Sequence, residues 1–140
     1  MPELHEQPDN ILLNHSVNER QIMDLNLNEN QIMYVETVRK LVKNEITPHI
    51  LELEKGHKFP WPIINKAWEM GVVNLCIPES VKGFEIDVFS SAMIIKEISY
   101  GDTGIATSAM CNDLANVVIS QHGTEEQKER FLRPFVEKPI

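Results

Sequence analysis

The chain has 140 residues, of which 42% are hydrophobic, and this is enough for one globular domain with a buried core. Its formal net charge of −8 excludes the basic surface that binding to nucleic acid or to an anionic membrane requires. No apolar run approaches the ~18 residues that a membrane-spanning helix needs.

Neither the two cysteines nor the five histidines are spaced as metal ligands. We therefore predict no metal site, and we expect Cys76 and Cys111 to be buried, reduced thiols. Residues 1–22 lack the apolar core of a secretory signal and the basic face of a mitochondrial presequence. These features predict a cytoplasmic protein.

The chain divides into a flexible N-terminal arm, residues 1–22, and one helical domain, residues 23–140. The arm is polar and contains two prolines. The first helix is predicted to begin at Asn28, whose side chain can cap the first turn, with Gln31 placed to reach back. Apolar residues then recur at spacings of three and four, as on the buried face of a helix. They are Ile32, Val35, Val38, Val42 and Ile46.

Pro48 is predicted to end or kink this helix, because its ring clashes with the preceding turn. A connector over residues 55–60 and a short helix over residues 62–70 follow. The apolar run at residues 72–77 suits either a strand or an extended buried connector. Asp87 can cap the next helix, which runs to about residue 100 and buries one apolar face. That face holds Phe89, Met93, Ile94 and Ile98.

The fourth predicted helix, residues 105–121, carries Asp113 as its only charged residue. A helix that is apolar on all sides is typically a buried helix. Gly123 ends it, and Thr124 opens the next helix with Gln127 completing a capping box. The sequence thus predicts an all-α fold of about five helices around a buried central helix.

Three stretches in this order carry a resemblance to a known family: IPESVKGF at 77–84, KEISYGDTG at 96–104 and HGTEEQKERFLRP at 122–134. Their succession resembles the N-terminal helical domain of the acyl-CoA dehydrogenases, flavoenzymes that desaturate acyl thioesters. The resemblance covers residues 25–139, and it favours the extended connector over a strand at residues 72–77.

The resemblance implies an FAD enzyme that acts on an acyl-CoA substrate, forms a homo-oligomer and passes electrons to an electron-transfer flavoprotein. In this family the flavin-contacting Thr-Glu-Pro and Gly-Ser-Asp stretches and the catalytic glutamate come later than residue 140. The middle β domain and C-terminal helical domain are not in this sequence. They would come from further chain or from a complementary chain. We therefore expect no catalytic residue here and, for this chain alone, neither bound FAD nor activity.

What the resemblance leaves to this domain is the wall of the acyl pocket. Ala106, Met110 and Leu114 fall at i, i+4 and i+8 on one helix face, and they match family positions that line the fatty acyl chain. The alternative is that they are ordinary core. Asp113 is the fourth substrate-site candidate, either as an acid that faces the pocket or as a structural carboxylate with a partner.

The stretch that begins at residue 77 departs from the family pattern. Lys82 and Glu85 stand where the family has glycine, while Gly83 keeps one. Because glycine adopts left-handed backbone without steric cost, these two losses predict a locally different turn.

Two further functions stay open at this point. One is an acyl-CoA oxidase or flavin monooxygenase, which share this helical domain. The other is a stand-alone binding or scaffold protein derived from the fold.

Overall fold

The computed structural model describes residues 26–56 and 58–140. The predicted N-terminal arm, residues 1–22, lies outside the described residues. These ranges contain seven α-helices and no strand, so the predicted all-α fold is confirmed. The helices are α1 Glu29–Leu41, α2 Ile50–Gly56, α3 Trp61–Glu69, α4 Val88–Gly101, α5 Thr103–His122, α6 Glu125–Phe131 and α7 Arg133–Glu137.

Helix α1 begins as predicted. The Gln31 N–H donates to Asn28 Oδ1 at 2.9 Å, and the Asn28 N–H donates to Gln31 Oε1 at 3.0 Å. Val35, Val38 and Ile46 of the predicted apolar stripe are buried, whereas the first member, Ile32, is 45% exposed. The stripe therefore becomes core only from the second turn of α1 onward.

Pro48 does not end the helical path. After α1 the backbone passes through a π turn, Val42–Ile46, and a 3-10 turn, Thr47–His49, before α2 begins. Pro48 occupies the first turn of the 3-10 segment, where a missing N–H costs no hydrogen bond. Helix α2 was not predicted, and it occupies the start of the expected connector at residues 55–60.

The main core lies where α1 and α5 pack on α4. A Cβ at Gly101 would lie 2.6 Å from Val42 Cγ1, so glycine allows the end of α4 to approach the π turn closely. Arg39 of α1 donates two 3.0 Å hydrogen bonds to the Glu97 carboxylate of α4. Since the Glu97 side chain is only 9% exposed, this bidentate pair satisfies a nearly buried charge.

Residues 72–77 form the buried connector that the resemblance favoured, and they make no strand. A second, smaller cluster of buried side chains lies at the end of the connector, where Ile77 and Val81 meet Leu132. This cluster anchors the C-terminal helices to the connector.

The prediction that the fourth helix is buried on all sides is wrong. In α5, Ile105, Ala106 and Ala109 are buried, but Leu114 is 79% exposed and Val118 is 57% exposed. The physical reason is that the described residues pack against α5 on one side only. The same applies to other predicted core positions. Phe89 and Met93 are only half-buried, and Cys111 is exposed.

Candidate functional site

Helix α5 carries all four candidate site residues, and its start is fixed by a capping carboxylate. Asp102 Oδ1 accepts the Ile105 N–H at 2.7 Å, so the helix begins at Thr103, two residues before the predicted start. The helix has 20 residues and no charged residue in its first turn. Helix α5 is therefore long and nearly uncharged along its whole length.

The predicted acyl face, Ala106, Met110 and Leu114, runs from the core to the surface. Ala106 is 2% exposed and belongs to the main core, and Met110 is half-buried against that core. Leu114 is 79% exposed. The three residues thus share a face of α5 but not a depth, and only Met110 and Leu114 are accessible to a bound molecule.

Asp113 has two hydrogen-bond partners in the connector. Its carboxylate accepts the Leu75 N–H at 3.0 Å and the Cys76 S–H at 3.2 Å. A carboxylate held in this way is satisfied without a ligand. The geometry supports the structural alternative for Asp113 over the substrate-facing one.

The environment of Cys76 follows from this contact. Burial, together with the Asp113 charge and hydrogen bond, raises the pKa of the Cys76 thiol to about 12. Because the thiolate is the nucleophilic form, Cys76 is not a nucleophile at neutral pH.

The contact of α5 with the connector contains further polar groups that the sequence analysis did not single out. The Ser120 hydroxyl donates to the Cys76 carbonyl oxygen at 2.9 Å, and Asn112 Nδ2 lies 3.4 Å from Asn74 Oδ1. Asn116 is also buried, at 2% exposed, but its Nδ2 has no hydrogen-bond partner among the described residues. The available signal was the recurrence of polar residues at 112, 113, 116 and 120, at helical spacing on an otherwise apolar helix.

The turn after the connector keeps left-handed backbone without glycine. Lys82 has φ +66° and Glu85 has φ +46°. Between them, a Cβ at Gly83 would lie 2.1 Å from the Ile77 carbonyl oxygen, so that position requires glycine. Glu85 offsets part of its strain, because its carboxylate accepts the Glu79 N–H at 3.2 Å. The Lys82 side chain makes no comparable hydrogen bond in the described structure. A residue with a Cβ therefore holds a left-handed backbone conformation at position 82 without compensation, and the backbone there is strained.

The comparisons with known proteins place this chain in a family. The family described as "Acyl-CoA dehydrogenase, N-terminal domain" matches residues 28–138. A probable medium-chain specific acyl-CoA dehydrogenase of Caenorhabditis briggsae is 30% identical over 118 residues, covering 84% of this chain and 29% of that protein. A short-chain specific acyl-CoA dehydrogenase of Clostridium acetobutylicum is 32% identical over 115 residues, covering 81% and 30%.

Solved structures give the same result. Butyryl-CoA dehydrogenase of Megasphaera elsdenii superposes with a TM-score of 0.69 at 27% identity, covering 82% of this chain and 31% of that one. A chain from the structural study of the electron transferring flavoprotein of Acidaminococcus fermentans gives a TM-score of 0.71 at 32% identity, covering 84% and 31%.

The helical fold and the order of its motifs define a domain of the acyl-CoA dehydrogenase class. The chain belongs to the acyl-CoA dehydrogenase family, as its N-terminal domain. It spans about 30% of the length of the relatives it matches.

The side chains that line one cleft of the described residues do not fit the diphosphate of a flavin. A diphosphate needs cations or free backbone amides around it. The cleft of about 500 Å³ between α2 and the start of α5 offers one cation, Lys58, against the carboxylates of Glu54 and Asp102. Across the described ranges, no three His, Cys, Asp or Glu side chains group so as to hold a metal ion, and no helix has the length and apolar character to cross a bilayer.

Proposed function

We propose that this chain forms the acyl-pocket wall of a flavoenzyme that desaturates an acyl-CoA thioester between its α and β carbons. The observation that carries the proposal is the exposed apolar face of α5, with Leu114 79% and Val118 57% exposed on a helix that holds one charge. That charge, Asp113, is already bound to the connector.

The energetics of this face favour an occupant. Burying a leucine side chain is worth ~1.5–3 kcal/mol, and Leu114 gains little of this in the domain alone. If an acyl chain or another part of the enzyme covered Leu114 and Met110, the complex would gain this free energy of burial. Because Met110 is half-buried and flexible, it can adjust to the end of an acyl chain.

The remaining parts of the reaction belong to regions outside this chain. The flavin, which accepts the hydride, and the carboxylate base would be supplied by middle and C-terminal domains, as further chain or as a complementary chain. We propose that the complete enzyme is a cytoplasmic homo-oligomer that passes its electrons to an electron-transfer flavoprotein. Support for the oligomer and for this electron acceptor comes from the family membership.

A domain exchange tests this proposal. Residues 26–140 would replace the matching domain of the C. acetobutylicum short-chain enzyme. We expect a yellow protein that dehydrogenates acyl-CoA with a dye as electron acceptor, whereas the 140-residue chain alone is colourless and inactive. A folded, flavin-loaded chimera without activity would contradict the proposal and favour a binding or scaffold role. Hydrogen peroxide formed without the dye would favour an oxidase.

A further inference from the structure

The last helix, α7, is held by side chains far from it in sequence. The Trp68 indole N–H donates to the Phe135 carbonyl oxygen at 2.8 Å, and Asn74 Nδ2 donates to the same oxygen at 3.3 Å. An indole nitrogen can only donate, and a carbonyl oxygen has two lone pairs, so both bonds can exist together. One backbone carbonyl is thereby fixed from α3 and from the connector at once.

A third side chain extends this contact to the end of the chain. Asn112 Nδ2 donates to the Ile140 carbonyl oxygen at 2.8 Å, and it also lies 3.4 Å from Asn74 Oδ1. The Asn74 amide therefore accepts from Asn112 on one side and donates to Phe135 on the other. Asn74 is 7% exposed and holds a φ of +54°, a backbone conformation that asparagine tolerates better than most residues.

Helix α7 needs such support, because a helix of five residues is not stable by itself. Leu132, which is fully buried, anchors its start. The hydrogen bonds to the carbonyl oxygens of Phe135 and Ile140 then hold the chain just before and just after residues 136–139. This is also where the family match ends, at residue 138, while the relatives are more than three times as long as the matched part.

We propose that Trp68, Asn74 and Asn112 form a polar latch that sets the direction in which the chain leaves the helical domain. Under the proposed function, on which this inference rests, the latch positions the next domain, and the flavin it holds, relative to the acyl face of α5. Asn112 is two residues from Met110, so the same helix carries the acyl face and one end of the latch. The latch residues are positioning residues and contact no substrate.

The first test uses the 140-residue chain and needs no activity. Trp68→Phe keeps an aromatic ring and removes the indole donor to Phe135, and Asn112→Ala removes the donor to Ile140 from a half-buried helical site. In ¹⁵N relaxation, we expect the order parameters of residues 136–140 to fall from about 0.85 to below about 0.6 in either variant. Trp61→Phe is the control, because Trp61 is 49% exposed and lies against Phe59 instead.

If the order parameters stay at the wild-type value in both latch variants, the latch is refuted. This result is independent of the proposed function, because it does not involve acyl-CoA or flavin. In the chimera described above, the latch variants should lower kcat per bound flavin on the order of tenfold, with KM nearly unchanged, because misplacing the reacting groups by about 1 Å is costly. An unchanged kcat per flavin would refute the positioning role even if the tail loosens.

Discussion

Replacing Lys82 with glycine should stabilise the domain. Lys82 sits at φ +66°, which costs a residue with a Cβ about 1–2 kcal/mol relative to the right-handed region. Glycine removes this cost but brings about 0.5–1 kcal/mol of extra chain entropy to the unfolded state. The expected net gain is ~0.5–1 kcal/mol in the free energy of unfolding. For a domain of this size that corresponds to a melting temperature about 2–4 °C higher.

The control for this experiment is Lys82→Ala, which removes the same charge and side chain but keeps the Cβ. The Lys82 N–H donates to the Glu79 carbonyl oxygen at 2.8 Å, and this bond survives in both variants. Urea unfolding of the three proteins measures the difference directly. Glu85→Gly should gain less than Lys82→Gly, because it loses the bond to the Glu79 N–H. If Lys82→Gly is no more stable than Lys82→Ala, the turn is not strained and the reasoning fails.

Three further predictions concern Asp113, Glu97 and the N-terminal arm. Asp113→Ala should lower the free energy of unfolding by ~1–3 kcal/mol, because two donors lose their acceptor. In Asp113→Asn the raised pKa of the Cys76 thiol should fall, and the rate of thiol modification measured against pH would show this. Hydrogen bonding to Arg39 lowers the pKa of Glu97, so this pair stabilises the fold above the ordinary pKa of Glu, about 4.3. That stability is lost as the pH falls through the lowered pKa, and Glu97→Gln should flatten this part of the curve of stability against pH. Deleting residues 1–22 should leave the melting temperature within about 2 °C; a loss of more than ~2 kcal/mol would show that the arm packs on the domain.

Local signals in the sequence were reliable. The caps at Asn28, Asp87 and Thr124 are all present, because a cap depends on a few neighbouring residues. The all-α fold followed from these caps and from the helical spacing of apolar residues. The prediction that Pro48 ends or kinks the helix holds only in part, because the regular α-helix gives way here to a π turn and a 3-10 turn while the helical path continues into α2.

Burial could not be predicted from the same patterns. An apolar helix predicts a covered helix, but Leu114 is 79% exposed in the part of the chain that the structure describes. The role of Asp113 depended on donors in the connector, which only the fold brings to it. The strain at Lys82 could be located from the missing glycine, but its left-handed φ required coordinates.

The most direct test of the proposed acyl wall is the substrate profile of the chimera carrying Met110→Ala. We expect the ratio of kcat/KM for long over short acyl-CoA to rise on the order of tenfold, since one or two methylenes in an apolar pocket are worth this much. Ile119→Ala, which truncates a side chain packed on the second core cluster, should lower stability and leave the ratio unchanged. If Met110→Ala leaves the ratio unchanged and destabilises the protein as much as Ile119→Ala does, this face of α5 is core and not an acyl-pocket wall.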